Sequence, residues 1–225
     1  MCFNETASLV AFSIGILFCA ILYVKRFPIF YVSFLFFITL IQLIEYFAHK
    51  SIRTHNLKLN ELSTKLILIT LFIQPIIYCY MSMYYPPIEK MRHTTLVSPL
   101  MLFYVLFFIF MFMYFDKTHV FKTTYLQKCE SICRLKWFDA KKFYIPLGVI
   151  FIILYIGLHL DVTRDTNFKY AWAQYFATIS LIIACIYAIT LSNYSVFNRV
   201  SYIGSVWCFL AVFVGPILLL TYKID

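Results

Sequence analysis

The chain has 225 residues, of which 63% are hydrophobic and 13% charged. Its mean hydropathy of +0.84 excludes an ordinary soluble domain. The net charge of +9 does not point to nucleic acid, because the basic residues sit in connections between apolar runs, where lipid headgroups would meet them.

Apolar stretches of about 18 residues or more recur along the chain, each long enough to cross a hydrocarbon layer of ~30 Å. Polar linkers and low-complexity tracts are absent, so residues 1–225 read as a single integral membrane domain. Its expected partners are membrane lipids and a small-molecule ligand. Nothing in the pattern calls for a cofactor or a resident metal. Met1–Thr6 lacks the basic start of a signal peptide, so the first run reads as a retained helix.

Helix 1 is expected over Thr6–Val24, stopped by Lys25-Arg26. Pro28 opens helix 2, Pro28–Ala48, at a position that tolerates proline. A polar loop is expected over His49–Ser63, which carries Lys50, Arg53, Lys58 and Glu61. Helix 3, Thr64–Tyr85, is expected to be interrupted at Gln74-Pro75 and closed by Pro86-Pro87. Helix 4, Leu96–Phe115, is almost purely Phe, Leu, Met and Tyr, which implies heavy lipid contact.

The longest connection is Asp116–Lys142. In it Val120, Phe121, Tyr125, Leu126, Ile132, Leu135 and Trp137 interleave with Lys122, Lys128, Arg134 and Lys136. That alternation predicts an amphipathic helix in the headgroup layer. Helices 5, 6 and 7 follow over Phe143–Leu160, Tyr170–Leu191 and Ser201–Tyr222. The expected architecture is all-α, a seven-transmembrane-helix bundle with an amphipathic interfacial segment between helices 4 and 5. The connections that include residues 116–142 hold the larger share of Lys and Arg. That balance puts the N-terminus in the cytosol, although Lys25-Arg26 argues the other way.

Helix 2 carries the feature that most needs a reason. Gln42 and Glu45 lie one turn apart inside an apolar run, and His49 continues the same face. An acid in a membrane helix costs about 2.5–3.5 kcal/mol on insertion scales, so it needs a partner or a role. With seven spans, the starts of helices 1 and 7 and the end of helix 2 share one membrane surface. Cys2, Ser8, Gln42, Glu45, Trp207 and Cys208 then lie at similar depth. His159, Asp161, Trp172 and Gln174 lie toward the opposite surface.

Three of those segments carry a resemblance. Met1-Cys2-Phe3 with Ala7-Ser8, Gln42-x-x-Glu45, and Gly204-Ser205-Val206-Trp207-Cys208-Phe209 resemble a family of uncharacterised small polytopic membrane proteins of bacteria and large DNA viruses. That family begins Met-Cys-Phe-Ser-Ala, carries His-Gln-x-x-Glu in helix 2, and has Ser-Leu-Trp-Cys in its last helix. The resemblance implies a fold and a set of positions, and no activity. Here Asn4-Glu5 replaces Ser-Ala, Ile41 stands where the family often has His, and His49 stands where it tends to be aromatic.

The readings of these residues divide as follows. Glu45 is a proton acceptor, cation ligand or substrate anchor in a pocket between helices 1, 2 and 7, or else it reaches Lys50 or Arg53 at the interface. In the pocket, Gln42 would fix one carboxylate oxygen and Trp207 would wall the cavity. Small residues at Ser8 and Gly204-Ser205 would let the flanking helices approach. Glu45 would then be a proton carrier near neutral pH. Cys2 is a terminal nucleophile, an acylation site or a packing residue.

Gln74 belongs to the pocket if the break at Pro75 lines a cavity, and to a plain kink if it does not. Gly215-Pro216 holds a comparable place in helix 7, which hints weakly at the repeat of the sugar and cystine exporters. Those exporters show Pro-Gln, and here the order is reversed. Among the seven cysteines, Cys19, Cys79, Cys185 and Cys208 fall in apolar runs and read as small hydrophobes. His119, Cys129 and Cys133 lack an obvious fourth ligand, and His159 with Asp161 reads as a helix-end cap, so no metal site is assigned. Lys223 lies at the very end of helix 7, which excludes a retinal Schiff base. Two classes remain: a protein that binds or transports a small solute, ion or lipid, and an intramembrane lipid-modifying enzyme.

Overall fold

The computed structural model describes residues 4–84, 97–125, 135–137, 146–151, 153–154, 179–180, 182–183, 186, 210 and 212–221. Four helices within them are long and apolar enough to cross a membrane: Glu5–Val24, Ile29–Arg53, Leu57–Met81 and Pro99–Thr118. The chain is read accordingly as an integral membrane protein of mainly helical fold. Expected helices 5 to 7 fall largely outside the described residues, and where described they are helical except at Val212 and Phe213, which form a turn inside the expected helix 7. Cys2, Cys129, Cys133, His159, Asp161, Trp172, Gln174, Gly204, Ser205, Trp207 and Cys208 lie outside them altogether.

α1 (Glu5–Val24) begins where the Asn4 side chain accepts the Ala7 N–H at 2.8 Å. It ends on a left-handed Arg26 (φ 58°), with Phe27 N–H bonded to Leu22 O and Arg26 N–H to Tyr23 O, both at 3.0 Å. This double closure satisfies carbonyls that a helix end would otherwise strand. Pro28 then stands at the head of α2 (Ile29–Arg53). The end of α2 repeats the device with His55 (φ 53°) and an Asn56 N–H to Ser51 O bond of 2.9 Å. Asn56 in turn accepts the Leu59 N–H at 3.0 Å and caps α3 (Leu57–Tyr84).

The expected polar loop over His49–Ser63 is therefore corrected. Only Thr54–Asn56 leave the helical backbone, and the rest belongs to α2 and α3. Lys50, Arg53, Lys58 and Glu61 mark where the helices leave the apolar layer, and both helices continue past that point. α3 is also continuous across Gln74-Pro75, where an interruption was expected. Proline removes one ladder donor and crowds the turn before it. One turn back, Tyr104 of α4 (Val97–Thr118) donates its hydroxyl to Phe72 O at 2.8 Å.

α1, α2 and α3 run up, down and up. The α1 face toward α2 carries Ser8, Ala11, Gly15 and Cys19, all buried and all small. A Cβ placed on Gly15 would stand only 3.0 Å from Thr39 Cβ and closer still to the rest of that side chain, so the glycine sets how near α1 can come. On the other side of α2, Phe30 and Phe34 meet Tyr78 of α3 edge to face at 4.9 and 5.4 Å. α4 lies antiparallel beside α3. Asp116 at its end reaches Lys65 at 2.6 Å, and Lys65 also binds Glu61 at 2.8 Å. Much of α4 is bare: Leu102, Phe103, Leu106, Phe110 and Met113 are exposed, as an all-apolar helix against lipid requires. The last described helix, α5 (Val214–Thr221), reaches the α1–α2 pair at Gly215. A Cβ there would fall 2.7 Å from Phe18 Cβ and 2.9 Å from Leu35 Cδ2.

The expected amphipathic helix after α4 is overturned where it is described. Residues 120–123 are neither helix nor strand, and β1 (Thr124–Tyr125) pairs antiparallel with β2 (Leu135–Lys136). Phe121, Leu135 and Trp137 belong to the protein core. The cause is specific anchoring. Thr123 gives its N–H to Asn60 Oδ1 at 2.9 Å, and its carbonyl takes the Asn60 amide at 3.0 Å. A helix would have kept those backbone groups for itself.

Candidate functional site

α2 turns one stripe inward. Tyr31, Leu35, Ile38, Gln42, Glu45 and His49 recur at alternating steps of four and three residues, and all are buried. Phe36 and Phe47 on the far side are exposed. That spacing keeps one face of a 3.6-residue helix toward the bundle. The stripe changes character halfway: apolar from Tyr31 to Ile38, polar from Gln42 to His49. Gln42 and Glu45 are each 0% exposed and His49 is 1% exposed, so the polar half is as dry as the apolar half.

Two contacts fix the depth of this half against α1. At one end Glu5 of α1 forms a forked ion pair with Arg53 of α2, with Nε–Oε2 3.0 Å and Nη2–Oε1 3.2 Å. At the other end Gly15 meets Thr39. Ser8 lies between Glu5 and Gly15, and Gln42, Glu45 and His49 lie between Thr39 and Arg53. Ser8 therefore lies within the length of helix that faces the polar stripe. The same ion pair brings the start of α1 and the end of α2 together.

What the buried groups lack is as informative as where they lie. Both amide atoms of Gln42, both of Gln74, the Ser8 and Thr39 hydroxyls and His49 Nε2 are buried with no hydrogen-bond partner among the described residues. Each such group costs about 1–3 kcal/mol unless something not of the described fold answers it. Gln74 stands apart by depth. It lies one turn from Tyr78, which sits level with Phe30 and Phe34, and so about 9 Å further from the Glu5–Arg53 surface than Gln42 at 1.5 Å per residue.

The surface end of the stripe is covered by the segment after α4. His49 Nδ1 and the Tyr125 hydroxyl are 3.4 Å apart, with ring centroids at 5.7 Å. Tyr125 is half-buried. Burial first, then the Glu5 carboxylate, push its phenol above the usual range, and Arg53 opposes them. The cover itself is bolted down. Asn60 also donates to Ser51 Oγ at 3.0 Å, Thr64 and Thr123 share a hydroxyl contact at 2.7 Å, and Thr64 donates to Asn60 O at 2.7 Å.

Two members of this site escape a reading of the sequence. Thr39 sits three residues before Gln42, so the step of three was a usable signal, but a threonine in a membrane helix usually spends its hydroxyl on its own backbone. Tyr125 had no signal, because its place depends on an asparagine far away in sequence. Cys19 and Cys79 are buried, in line with their reading as small hydrophobes. Among the described residues no group of three or more His, Cys, Asp or Glu gathers to hold a metal. No protein-family model, no curated protein and no solved structure matches the chain.

Proposed function

We propose that this protein is a multi-pass membrane protein that binds, and carries, a small polar solute or ion in an intramembrane pocket on the inward stripe of α2. Glu45 is the titratable or cation-binding group of that pocket, and Gln42 is its hydrogen-bonding group. One observation carries the reading: Gln42 is fully buried in a membrane helix with both ends of its amide unanswered among the described residues, one turn from a fully buried acid. An amide presenting a donor and an acceptor suits a hydroxyl-, amide- or cation-bearing guest. The proposal includes seven spans, a cytosolic N-terminus and membership of the family that the Gln-x-x-Glu and Trp-Cys segments resemble.

The test is a melting screen of the purified protein in lipid nanodiscs against monovalent and divalent cations, amino acids and sugars. A guest at 100 times its dissociation constant adds about 2.7 kcal/mol and raises the melting temperature. Glu45→Gln should fold normally and lose that shift and its pH dependence. A shift that survives both Glu45→Gln and Gln42→Leu would place the guest elsewhere. Orientation is read by labelling Lys122→Cys and Arg164→Cys from outside intact cells. Labelling of the former alone would reverse it.

A further inference from the structure

The polar stripe of α2 does not stop inside the bundle. His49 lies one turn beyond Glu45 on the same face, and residues four apart on a helix bring their Cβ atoms within about 5–6 Å. Its Nε2 is buried without a hydrogen-bond partner among the described residues. Its Nδ1 is 3.4 Å from the Tyr125 hydroxyl. Tyr125 is half-buried at the rim, beside the half-buried Glu5 and the exposed Arg53. Glu45, His49 and Tyr125 thus form a file from the membrane interior to water, each member able to accept and give a proton.

We propose that His49 and Tyr125 form the proton path between the Glu45 pocket and the aqueous surface, so that the proton is a ligand of this site. The proposal rests on the pocket reading of α2. The step balances with water as the outer partner. The Tyr125 O–H bond breaks as its proton goes to His49 Nδ1, and the phenol oxygen takes a proton from a surface hydronium. The His49 Nε2–H bond breaks as that proton goes to a Glu45 carboxylate oxygen, and the imidazole returns to neutral. The net change is one proton moved from water to Glu45.

Among the described residues, the groups around the path are these. α1 brings Glu5, engaged with Arg53. α2 brings Glu45, Lys50 and Arg53. β1 brings Tyr125. At this level α3 brings the neutral Asn60 and Thr64, which are engaged with Thr123. Arg53 is held by the Glu5 carboxylate, and Tyr125 is the neutral donor and acceptor that a relay needs.

The experiment measures the proton itself on the full chain, reconstituted in phosphatidylcholine vesicles without any solute. Infrared difference spectra after a pH jump follow the protonated carboxyl band, which is assigned to Glu45 by its loss in Glu45→Gln. The expected result is that Tyr125→Phe slows the appearance of that band about tenfold or more with the titration midpoint unchanged. His49→Ala should slow it similarly, and added imidazole should restore the rate, which a purely structural role would not allow. Equal rates in the wild type and Tyr125→Phe would overturn the path. So would the absence of any Glu45 band across the pH range in which the protein stays folded. A melting screen that finds no guest would defeat the solute pocket and leave these rates untouched, so the two failures are distinct.

Discussion

Asn60 and Gln42 are side chains of one chemistry, buried to a similar degree, at 4% and 0% exposure. Their surroundings are opposite. Asn60 spends its amide on Ser51 and on both backbone groups of Thr123. Gln42 spends neither end of its amide on any described residue. A satisfied buried amide is architecture, because its bonds dictate where a loop must lie. An unsatisfied one stores free energy, which a guest can release.

The contrast can be broken most forcefully from the satisfied side. Asn60→Ala would strand the buried Thr123 N–H and carbonyl at about 1–3 kcal/mol each. Denaturant titration in detergent should show a loss of about 2–4 kcal/mol and release of the segment after α4. A loss under about 0.5 kcal/mol would mean that the cover is held by its apolar residues alone.

The unsatisfied side should respond with the other sign. Gln42→Leu removes an unanswered amide and should stabilise the protein by about 1–2 kcal/mol in the same titration, while abolishing any guest-induced melting shift. Destabilisation would mean that the amide has partners beyond the described residues, and the contrast with Asn60 would vanish.

Tyr125 joins the two regions, and pH probes the joint. Its phenol is raised above its unfolded value of about 10, so its contribution to stability is complete below that pH and is lost as pH rises through the higher folded value. Melting temperature should bend downward above about pH 10, and Tyr125→Phe should flatten the bend. An identical bend in both proteins would assign it to another group.

The smallest effect is at the turn between the two helices that carry these amides. His55 is exposed and left-handed, a conformation that costs a residue with a Cβ about 1–2 kcal/mol. His55→Gly relieves that cost and gives back about 0.5–1 kcal/mol in chain entropy, for a net gain of about 0.5 kcal/mol. A loss would show that the imidazole makes a contact worth more than the strain.

These regions also show how far the sequence could be read. Gln42 and Glu45 stood out because an amide and an acid in an apolar run have no cheap explanation. α1, the proline start of α2 and the lipid-facing α4 were legible for the same reason, since hydropathy reports the surrounding medium directly. The stretch from His49 to Ser63 misled because polarity marks the edge of the hydrocarbon, whereas a helix ends where its carbonyls find closure, here at His55. The segment after α4 misled more deeply. Apolar and basic residues alternating over a short run fit a strand as well as a surface helix, and the choice was made by Asn60, about 60 residues away.

The hydroxyl of Tyr104 on Phe72 O has a bearing on how the chain is made. α3 carries Pro75 within its span, and hydrocarbon offers the crowded turn before it no water. α4 brings a hydroxyl donor to that turn from the next helix along, at Phe72 O. An α3 threaded alone into a bilayer would hold its proline turn without that hydroxyl until its neighbour arrived. The two helices are therefore suited to leave the insertion machinery together as a hairpin, with Tyr104 the residue through which the later helix braces the earlier one at its proline turn.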